Sequence, residues 1–258
     1  MREFESPSSI NLYLLCPRKY YYRYIKNLIP PEDIILLRGK ILHKVVEEFF
    51  KIKEISNNYE FEFKVIVLDL FNKNWQENLG IIKSFNLDDN VLKSYYEESK
   101  EMLLNWTGYL NNKIKQTNLE PNQAFSMLRG EREVTLFSPL LGVKGVLDAV
   151  YEDKIVDYKT SARDTITNDY RIQLGIYSLL FFEKFKRLPK SASLYFFKFG
   201  EREIMINEDL VKEAKEKILF VKSKTITEDK DDYPKNVGKY CKWSTGKCPY
   251  FDLCFPEN

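Results

Sequence analysis

Two short strands joined by a turn of only two residues are the feature that most constrains the fold of this chain. Residues 142–151 and 154–160 have the composition of neighbouring antiparallel strands. A two-residue turn places Asp148 opposite Asp157, and facing residues have Cβ atoms about 4.5–5.5 Å apart. Lys159 lies two residues after Asp157 and therefore shares its face. The hairpin is predicted to gather two carboxylates and one ammonium group on one patch of sheet.

This acidic patch suits a hard divalent cation beside a phosphate. Mg²⁺ prefers oxygen ligands, commonly one or two carboxylates, and such an ion can activate water for phosphodiester hydrolysis. Lys159 would orient the attacking water or stabilise the transition-state charge. The open alternative is a solvated hairpin, since acidic residues and lysines are common at turns. Burying carboxylates among apolar residues costs free energy unless something ligates them. The apolar residues around the two carboxylates are Val146, Leu147, Val150, Ile155 and Val156.

Composition sets the class of protein but not its partner. The chain has 258 residues, 44% of them hydrophobic and 30% charged, so it can bury one large core or two small ones. Its net charge of +2 gives no argument for a nucleic-acid partner. The start of the chain lacks the apolar run of a signal peptide, and no segment is apolar enough to span a membrane. We therefore expect a cytoplasmic protein without a membrane partner.

The four cysteines form a three-plus-one set. Cys241, Cys248 and Cys254 have C-x6-C-x5-C spacing near the end of the chain, and Cys16 lies near its start. Four thiolates suit either an iron–sulfur cluster or zinc, and such a site would fasten the N-terminal helix to the C-terminal segment. The alternative is four unrelated buried thiols. Reducing conditions inside cells favour metal binding over disulfides.

The single histidine gains meaning only from its neighbours. His43 lies on a predicted helix, and one histidine on a partly apolar helix is commonly a packed core residue. A neutral imidazole is nevertheless a good ligand for Mn²⁺. If this helix faces the hairpin, His43 completes a metal site.

The order of predicted elements favours a mixed α/β fold with helices on both faces of a sheet. A first helix runs from residue 10 to 15, before Pro17. Further helices are predicted over about 36–53, 60–80, 88–118, 167–186 and 208–221, and strands over about 129–137, 142–151, 154–160, 191–199 and 202–206. Residues 55–127 are predicted to form a helical insertion or subdomain. Residues 233–258, rich in Pro, Gly, Cys and aromatic residues, should be irregular.

A basic and aromatic stretch follows the first helix. It includes Arg18 and Tyr21 within residues 18–25. Positive charge and aromatic rings together can hold a single nucleic-acid strand by charge and base stacking. The alternative is that these tyrosines pack against the cysteine region.

Four segments together resemble one known family. They are Ser8 to Tyr20 with Cys16-Pro17-Arg18-Lys19, Gly39 to His43, the pair Gly145-Val146-Leu147-Asp148 and Val156-Asp157-Tyr158-Lys159-Thr160, and Gln173-Leu174-Gly175-Ile176-Tyr177. This set is similar to the RecB-like branch of the PD-(D/E)XK nuclease superfamily, especially CRISPR-associated RecB-like exonucleases and the iron–sulfur nuclease domain of AddB. The matched segments span residues 8–254, with residues 55–127 unmatched.

The resemblance implies a single nuclease domain over residues 1–258 with a restriction-endonuclease-like α/β core. It implies that Mg²⁺ or Mn²⁺ binds to His43, Asp148, Asp157 and the carbonyl of Tyr158, with Lys159 as the catalytic lysine. Gln173 and Tyr177, one helical turn apart, would contact DNA or support the site. The four cysteines would hold a 4Fe–4S cluster. The expected activity is exonucleolytic cleavage of single-stranded or frayed DNA.

Two departures from the family pattern stand out, and the chain leaves some questions open. The family's usual ending is C-x2-C-x5-C, whereas here six residues separate Cys241 from Cys248. The family often has Glu where this chain has Asp157. An upstream acid sometimes joins the site, and of Glu131 and Glu133 we favour Glu133. The alternative function is a non-catalytic DNA-binding or adaptor subunit of a CRISPR-adaptation or recombination complex. Cleavage polarity and oligomeric state stay open.

Overall fold

The computed structural model of the protein describes residues 2–244 and 246–256. Met1, Thr245, Glu257 and Asn258, which the sequence analysis assigned to the nuclease domain and its C-terminal region, lie outside the described residues. The helices are α1 (Pro7–Leu15), α2 (Pro17–Tyr20), α3 (Ile34–Phe49), α4 (Tyr59–Glu77), α5 (Leu79–Ser84), α6 (Asp89–Lys115), α7 (Pro121–Arg129), α8 (Asn168–Phe185), α9 (Glu208–Lys224) and α10 (Phe251–Cys254). A π-helical turn covers Tyr21–Ile25 and a 3-10 turn covers Lys230–Asp232.

A five-stranded mixed sheet forms the centre of the molecule. Its strands are β1 (Glu131–Ser138), β2 (Val143–Val150), β3 (Lys154–Lys159), β4 (Ser191–Phe196) and β5 (Gly200–Met205). They lie in sequence order, β3 and β4 are parallel, and the other neighbours are antiparallel. Two short strands, β6 (Lys242–Trp243) and β7 (Gly246–Lys247), pair separately in the C-terminal region.

Helices cover both faces of the sheet. On one face α3 to α7 share a core with sheet residues such as Val156 and Tyr195. On the other face α1, α8 and α9 share a core with residues such as Ile155 and Leu194. Because successive strand residues point to opposite faces, each strand contributes to both cores. The predicted α/β fold with a central mixed sheet flanked by helices is confirmed.

Local sequence signals explain where several helices begin. Ser6 caps α1 by accepting from the Ser9 amide, and Pro7 occupies the first turn, where no amide donor is required. The extended backbone at Cys16 separates α1 from α2, so Pro17 redirects the chain as expected. Asp33 caps α3 by accepting from the Leu36 amide. This cap fixes the start of the helix at Ile34. The helix ends at Phe49, so both ends come earlier than in the predicted span of 36–53.

Other boundaries differ more from the prediction. The helix predicted over 60–80 is interrupted at Asn78, the residue between α4 and α5. Helix α7 was not predicted as a separate element, although Pro121 is in its first position. Residues 55–127 are largely helical, and α4 to α7 share a core with α3. That they form an insertion in a single nuclease domain stays a prediction.

The N-terminal helices contact the C-terminal region. Arg18 Nε donates to the Tyr233 carbonyl at 2.6 Å, and Tyr22 Oη donates to the Leu253 carbonyl at 3.0 Å. Asn236 Nδ2 donates to the Leu15 carbonyl at 2.7 Å. These contacts hold the two ends of the described chain together. Among the helices of residues 2–244 and 246–256, none has the length and apolar character needed to cross a membrane.

Candidate metal centre and active site

The hairpin has the register that the sequence predicts. Ala149 pairs with Val156 and Val150 pairs with Ile155, which continues to Asp148 opposite Asp157. The paired ladder ends at Ala149 and Val156, one step before the two carboxylates. Asp148 Oδ2 accepts from the Tyr158 amide at 2.7 Å instead. The carboxylates therefore lie where β2 and β3 begin to separate, which leaves room between the strands.

Asp157 and Lys159 form a buried network with helix α8. Lys159 Nζ lies 2.6 Å from Asp157 Oδ2 and donates to Gln173 Oε1 at 3.0 Å. Gln173 Nε2 donates to Asp157 Oδ1 at 2.9 Å and to Tyr177 Oη at 3.1 Å. Gln173 and Tyr177 are one turn apart, so both face the sheet. This network fixes the position of the Lys159 ammonium group.

Helix α3 brings His43 to the same place from the other face of the sheet. His43 Nδ1 lies 3.3 Å from Asp148 Oδ1, and Nε2 lies 3.0 Å from the Tyr158 carbonyl oxygen. Burial lowers the pKa of His43, but attraction and a hydrogen bond to Asp148 outweigh it and raise the pKa above 6.5. Both ring nitrogens face oxygen acceptors, so the metal-free site favours the imidazolium form.

Glu133 is the acid that the sequence left undecided. It lies between Arg132, which pairs with Ala149, and Val134, which pairs with Leu147, so it is opposite Asp148. Its φ of 49° is unusual for a non-glycine strand residue and costs free energy that the surroundings must offset. One ligand atom each from Glu133, His43 and Asp148 lies within 4.8 Å of the other two. Glu131, by contrast, pairs with Lys184 at the surface.

A cavity of about 680 Å³ lies beside this group of residues. It lies between α3 and the sheet, and His43, Glu133 and Thr160 are in its wall. Lys40 and Lys44 on α3 lie at its side, and the exposed side chains of Ile35 and Leu36 are at its mouth. The cavity is large enough to admit a nucleotide.

The site has more negative than positive charge. Burial raises the pKa of Asp157, although Lys159 acts in the opposite direction. Desolvation and repulsion from Asp148 raise the pKa of Glu133. Asp157 Oδ2, although close to Lys159 Nζ, is buried without an aligned hydrogen-bond donor. Three carboxylates and an imidazole are a donor set that fits Mg²⁺ or Mn²⁺. Asp157 is not part of the compact His43, Glu133 and Asp148 group.

The four cysteines meet in a different part of the fold. Cys16, Cys241, Cys248 and Cys254 line one small cavity beneath α1 and the C-terminal region, and all four are free thiols. Burial raises the pKa of the Cys254 thiol, and the nearby Cys16 and Cys248 act in the same direction. The predicted three-plus-one grouping is thus spatially possible for a bound metal group. Thr245, in the longer loop between Cys241 and Cys248, lies outside the described residues.

The basic and aromatic stretch does not form a stacking surface. Arg18 and Tyr21 are only 7% and 4% exposed, so neither presents a face to a nucleic-acid base in this structure. Tyr21 packs against Tyr22 and Tyr233, and Arg18 binds the Tyr233 carbonyl. The structure therefore corrects the expectation that these residues track a DNA strand. The alternative considered from the sequence, packing against the cysteine region, describes their position.

Sequence reasoning missed two features of the site. The positive φ of Glu133 has no sequence signal, since only glycine would have indicated it. The link from Lys159 through Gln173 to Asp157 depends on how α8 packs, and the residue types alone did not indicate it. Gly145 does carry a signal: a Cβ there would lie 2.9 Å from Tyr177 Cε1, so glycine lets α8 approach β2.

Comparisons with known proteins agree with this geometry. Residues 5–255 match the sequence profile of the PD-(D/E)XK nuclease superfamily. The fold is similar to the crystal structure of a candidate exonuclease from Eubacterium rectale, with a TM-score of 0.54 and 13% identity, covering 99% of this chain and 94% of that one. A search of curated protein sequences found no match. The predicted restriction-endonuclease-like core is confirmed.

Proposed function

Because the chain belongs to the PD-(D/E)XK nuclease superfamily, we propose that it is a divalent-metal-dependent DNA nuclease. The observation that carries the proposal is the meeting of His43, Glu133 and Asp148 beside the Lys159 ammonium group. These groups come from α3, β1, β2 and β3. A solvated hairpin would not require a histidine from another helix or a strained backbone at Glu133. The arrangement favours a site built around a cation.

We assign metal binding to His43, Asp148, Asp157 and the Tyr158 carbonyl, with Glu133 as a further ligand. When bound, Mg²⁺ or Mn²⁺ would activate water and neutralise charge on the scissile phosphate. Lys159 is the proposed catalytic residue. Burial lowers its pKa, but the charge of Asp157 and the hydrogen bond to it outweigh this effect and raise the pKa, so Lys159 stays charged. Its ammonium group can orient a water molecule or stabilise a phosphate oxygen.

Gln173 and Tyr177 act through Lys159 and Asp157. Gln173 accepts from Lys159 and donates to Asp157, so it fixes their separation. Tyr177 accepts from Gln173, and burial raises its pKa well above 10, which keeps its hydroxyl protonated. A DNA contact by either residue also remains a proposal. The exposed edge of Gln173 lines a separate groove on the α8 side of the sheet, together with Ser8 and Lys144.

The preferred substrate that we propose is single-stranded or frayed DNA, attacked from an end. The support from the basic and aromatic stretch is lost, because Arg18 and Tyr21 are buried. Two features replace it. Ile35 and Leu36 expose about half of their surface at the mouth of the cavity, where unpaired bases can pack. The structurally similar protein from Eubacterium rectale is described as a candidate exonuclease. Links to CRISPR adaptation or recombination proteins stay predictions.

We propose that Cys16, Cys241, Cys248 and Cys254 hold a 4Fe–4S cluster that fastens both ends of the chain. The donor set and the shared cavity support this role. A zinc ion bound at about 2.3 Å would bring the sulfurs to roughly 3.8 Å from one another. Within the described residues, no three cysteine sulfurs lie within 4.8 Å of one another. The metal content of the purified protein distinguishes the two groups.

The proposed activity is tested with anaerobically purified protein and end-labelled single- and double-stranded DNA, with and without Mn²⁺ or Mg²⁺. We expect metal-dependent loss of label, faster for the single strand. Lys159→Ala should abolish cleavage, whereas Lys190→Ala, an exposed lysine on the surface, should not. Undiminished cleavage by folded Lys159→Ala would refute the assignment. Iron and zinc contents of the same preparation, with Cys254→Ser as the control, test the cluster separately.

A further inference from the structure

A second cavity adjoins the proposed metal site. It has a volume of about 570 Å³ and shares Ile35 with the metal-site cavity. One wall is α3 and the opposite wall is the first half of α6, which belongs to the helical region whose role the sequence left open. The polar residues in its wall are Arg38, Asn90, Ser94, Tyr95, Glu98 and Lys198.

Two cations in this cavity share one carboxylate. Arg38 Nη1 and Lys198 Nζ both contact Glu98, from α3 and from the end of β4. Burial raises the pKa of Glu98, but the hydrogen bond from Lys198 and the charge of Arg38 outweigh it and lower the pKa, so Glu98 is ionised. The three groups together carry one net positive charge. An anion that enters the cavity therefore meets an attractive potential.

Arg38 also has unused hydrogen-bonding capacity. Its side chain is 6% exposed, and its Nε is buried without a hydrogen-bond partner. The guanidinium lies over the Tyr95 ring, 5.1 Å from the centroid, which fixes its plane. An arginine held in this way presents donors in the geometry that phosphate oxygens accept.

The position of the cavity indicates which anion it takes. Arg38 precedes His43 by five residues on α3, about 7.5 Å along the helix axis. A strand whose scissile phosphate lies at His43 can pass over Ile35 into the second cavity. The volume suits one nucleotide, and the apolar side chains of Ile35 and Val91 line it beside the cations.

We propose that this cavity is a nucleotide subsite of the same DNA strand, away from the scissile bond. Arg38 and Lys198 bind its phosphate, and Glu98 holds both cations in place until the phosphate enters. The proposal rests on the nuclease function proposed above. It gives the helical region a role, because α6 forms the wall that completes the channel.

The test measures binding of a fluorescent single-stranded oligonucleotide by anisotropy, without divalent metal, over a range of salt concentrations. Lys198→Ala should weaken binding by roughly tenfold, as expected for loss of a charged hydrogen bond. It should also reduce the slope of log K against log salt by about 0.7, the value for one phosphate contact to a single strand. Glu98→Gln should tighten binding, because it removes the competing carboxylate.

The matched control is Lys100→Ala, which also removes one positive charge. Lys100 is on α6, but it pairs with Glu97 outside the cavity. This variant should leave the salt slope unchanged. In cleavage assays, Lys198→Ala should raise KM for long oligonucleotides with little change in kcat, and should not affect substrates too short to reach the cavity.

Three results would overturn the proposal. They are an unchanged salt slope in Lys198→Ala, weaker binding in Glu98→Gln, or an equal KM effect on short and long substrates, which indicates a structural role. Thermal unfolding of each variant identifies any loss of fold. Failure of the nuclease proposal gives a different result: the wild-type protein cleaves no DNA, while the binding assay still reports on Arg38 and Lys198.

Discussion

Two groups of acidic side chains in the sheet have similar burial but opposite electrostatics. Glu201 on β5 is 12% exposed as a side chain and lies 2.6 Å from Lys154 Nζ and 3.3 Å from Lys113 Nζ. Tyr109 Oη also donates to it at 2.9 Å. Although burial acts in the other direction, these partners lower the pKa of Glu201 to about 2. Asp157, with 6% exposure, has one lysine, and its pKa is raised.

The difference teaches how to distinguish a stabilising carboxylate from a functional one. The Glu201 group has as many cations as the buried charge requires, so it contributes to stability. At the proposed metal site Asp148, Asp157 and Glu133 outnumber their cationic partners, and desolvation together with repulsion from Asp148 raises the pKa of Glu133. Such an excess of negative charge is typical of a functional site, where a ligand can offset it. The comparison can be tested with matched Asp→Asn and Glu→Gln substitutions.

The largest expected effect is on cleavage. Asp148→Asn should reduce Mn²⁺-dependent cleavage of single-stranded DNA by at least about 10³-fold, because it removes a proposed metal ligand and its charge. The amide oxygen of Asn can still accept from the Tyr158 amide, so the free energy of unfolding without metal should not fall. Glu201→Gln is the control and should cleave at the wild-type rate per folded molecule. Equal rates for wild type and Asp148→Asn would break the comparison.

The second effect is on stability. Glu201→Gln should reduce the free energy of unfolding at pH 7 by about 3 kcal/mol, from a folded-state pKa of about 2 against an ordinary value of 4.5. A lowered pKa stabilises the fold above the unfolded-state pKa, and this contribution is lost as pH falls from about 4.5 toward 2. The difference between the two proteins, measured by urea unfolding, should therefore shrink over that range. Glu203→Gln, a more exposed partner of Lys154, should change stability much less.

The third effect is stabilisation by metal. Mn²⁺ at 100 times its Kd should raise the free energy of unfolding of the wild-type protein by about 2.7 kcal/mol. Thermal unfolding should show this increase in Glu201→Gln as well, but not in Asp148→Asn. A similar shift in all three proteins would show that the ion binds elsewhere.

The smallest effect is expected at Glu133. Without metal, Glu133→Gln should raise the free energy of unfolding by a few tenths of a kcal/mol, because it removes repulsion from Asp148 at an exposed position. The same variant should bind Mn²⁺ more weakly than the wild type, as measured by titration calorimetry. Lower metal-free stability in Glu133→Gln would remove Glu133 from the group of repelling carboxylates.

Much of this comparison could be predicted from the sequence, because local rules govern the hairpin. A two-residue turn sets the register, and the register sets which residues face each other, so Asp148 and Asp157 could be placed without coordinates. The mixed α/β fold followed from the order of helices and strands along the chain. The segments that resemble a known family supplied His43 and Gln173, which no local pattern links to the hairpin.

The rest depends on packing between segments distant in sequence. The partners of Glu201 come from α6 and β3, and those of Arg18 from residues beyond 230, so neither group could be predicted. Arg18 and Tyr21 have the composition of a nucleic-acid surface, yet helix contacts bury them. The left-handed backbone of Glu133 follows from the tertiary structure, which overrides the preference of glutamate.

The contacts between the two ends of the chain impose an order on biosynthesis. Arg18 leaves the ribosome more than 200 residues before its partner Tyr233. At a synthesis rate of 5–20 residues per second, roughly 10–40 s pass between synthesis of the helices on either side of Cys16 and synthesis of the later segment that covers their tyrosines. During that interval an aromatic, basic surface is open to chaperones. Assembly of the four thiols therefore follows synthesis of the sheet that carries the acidic residues.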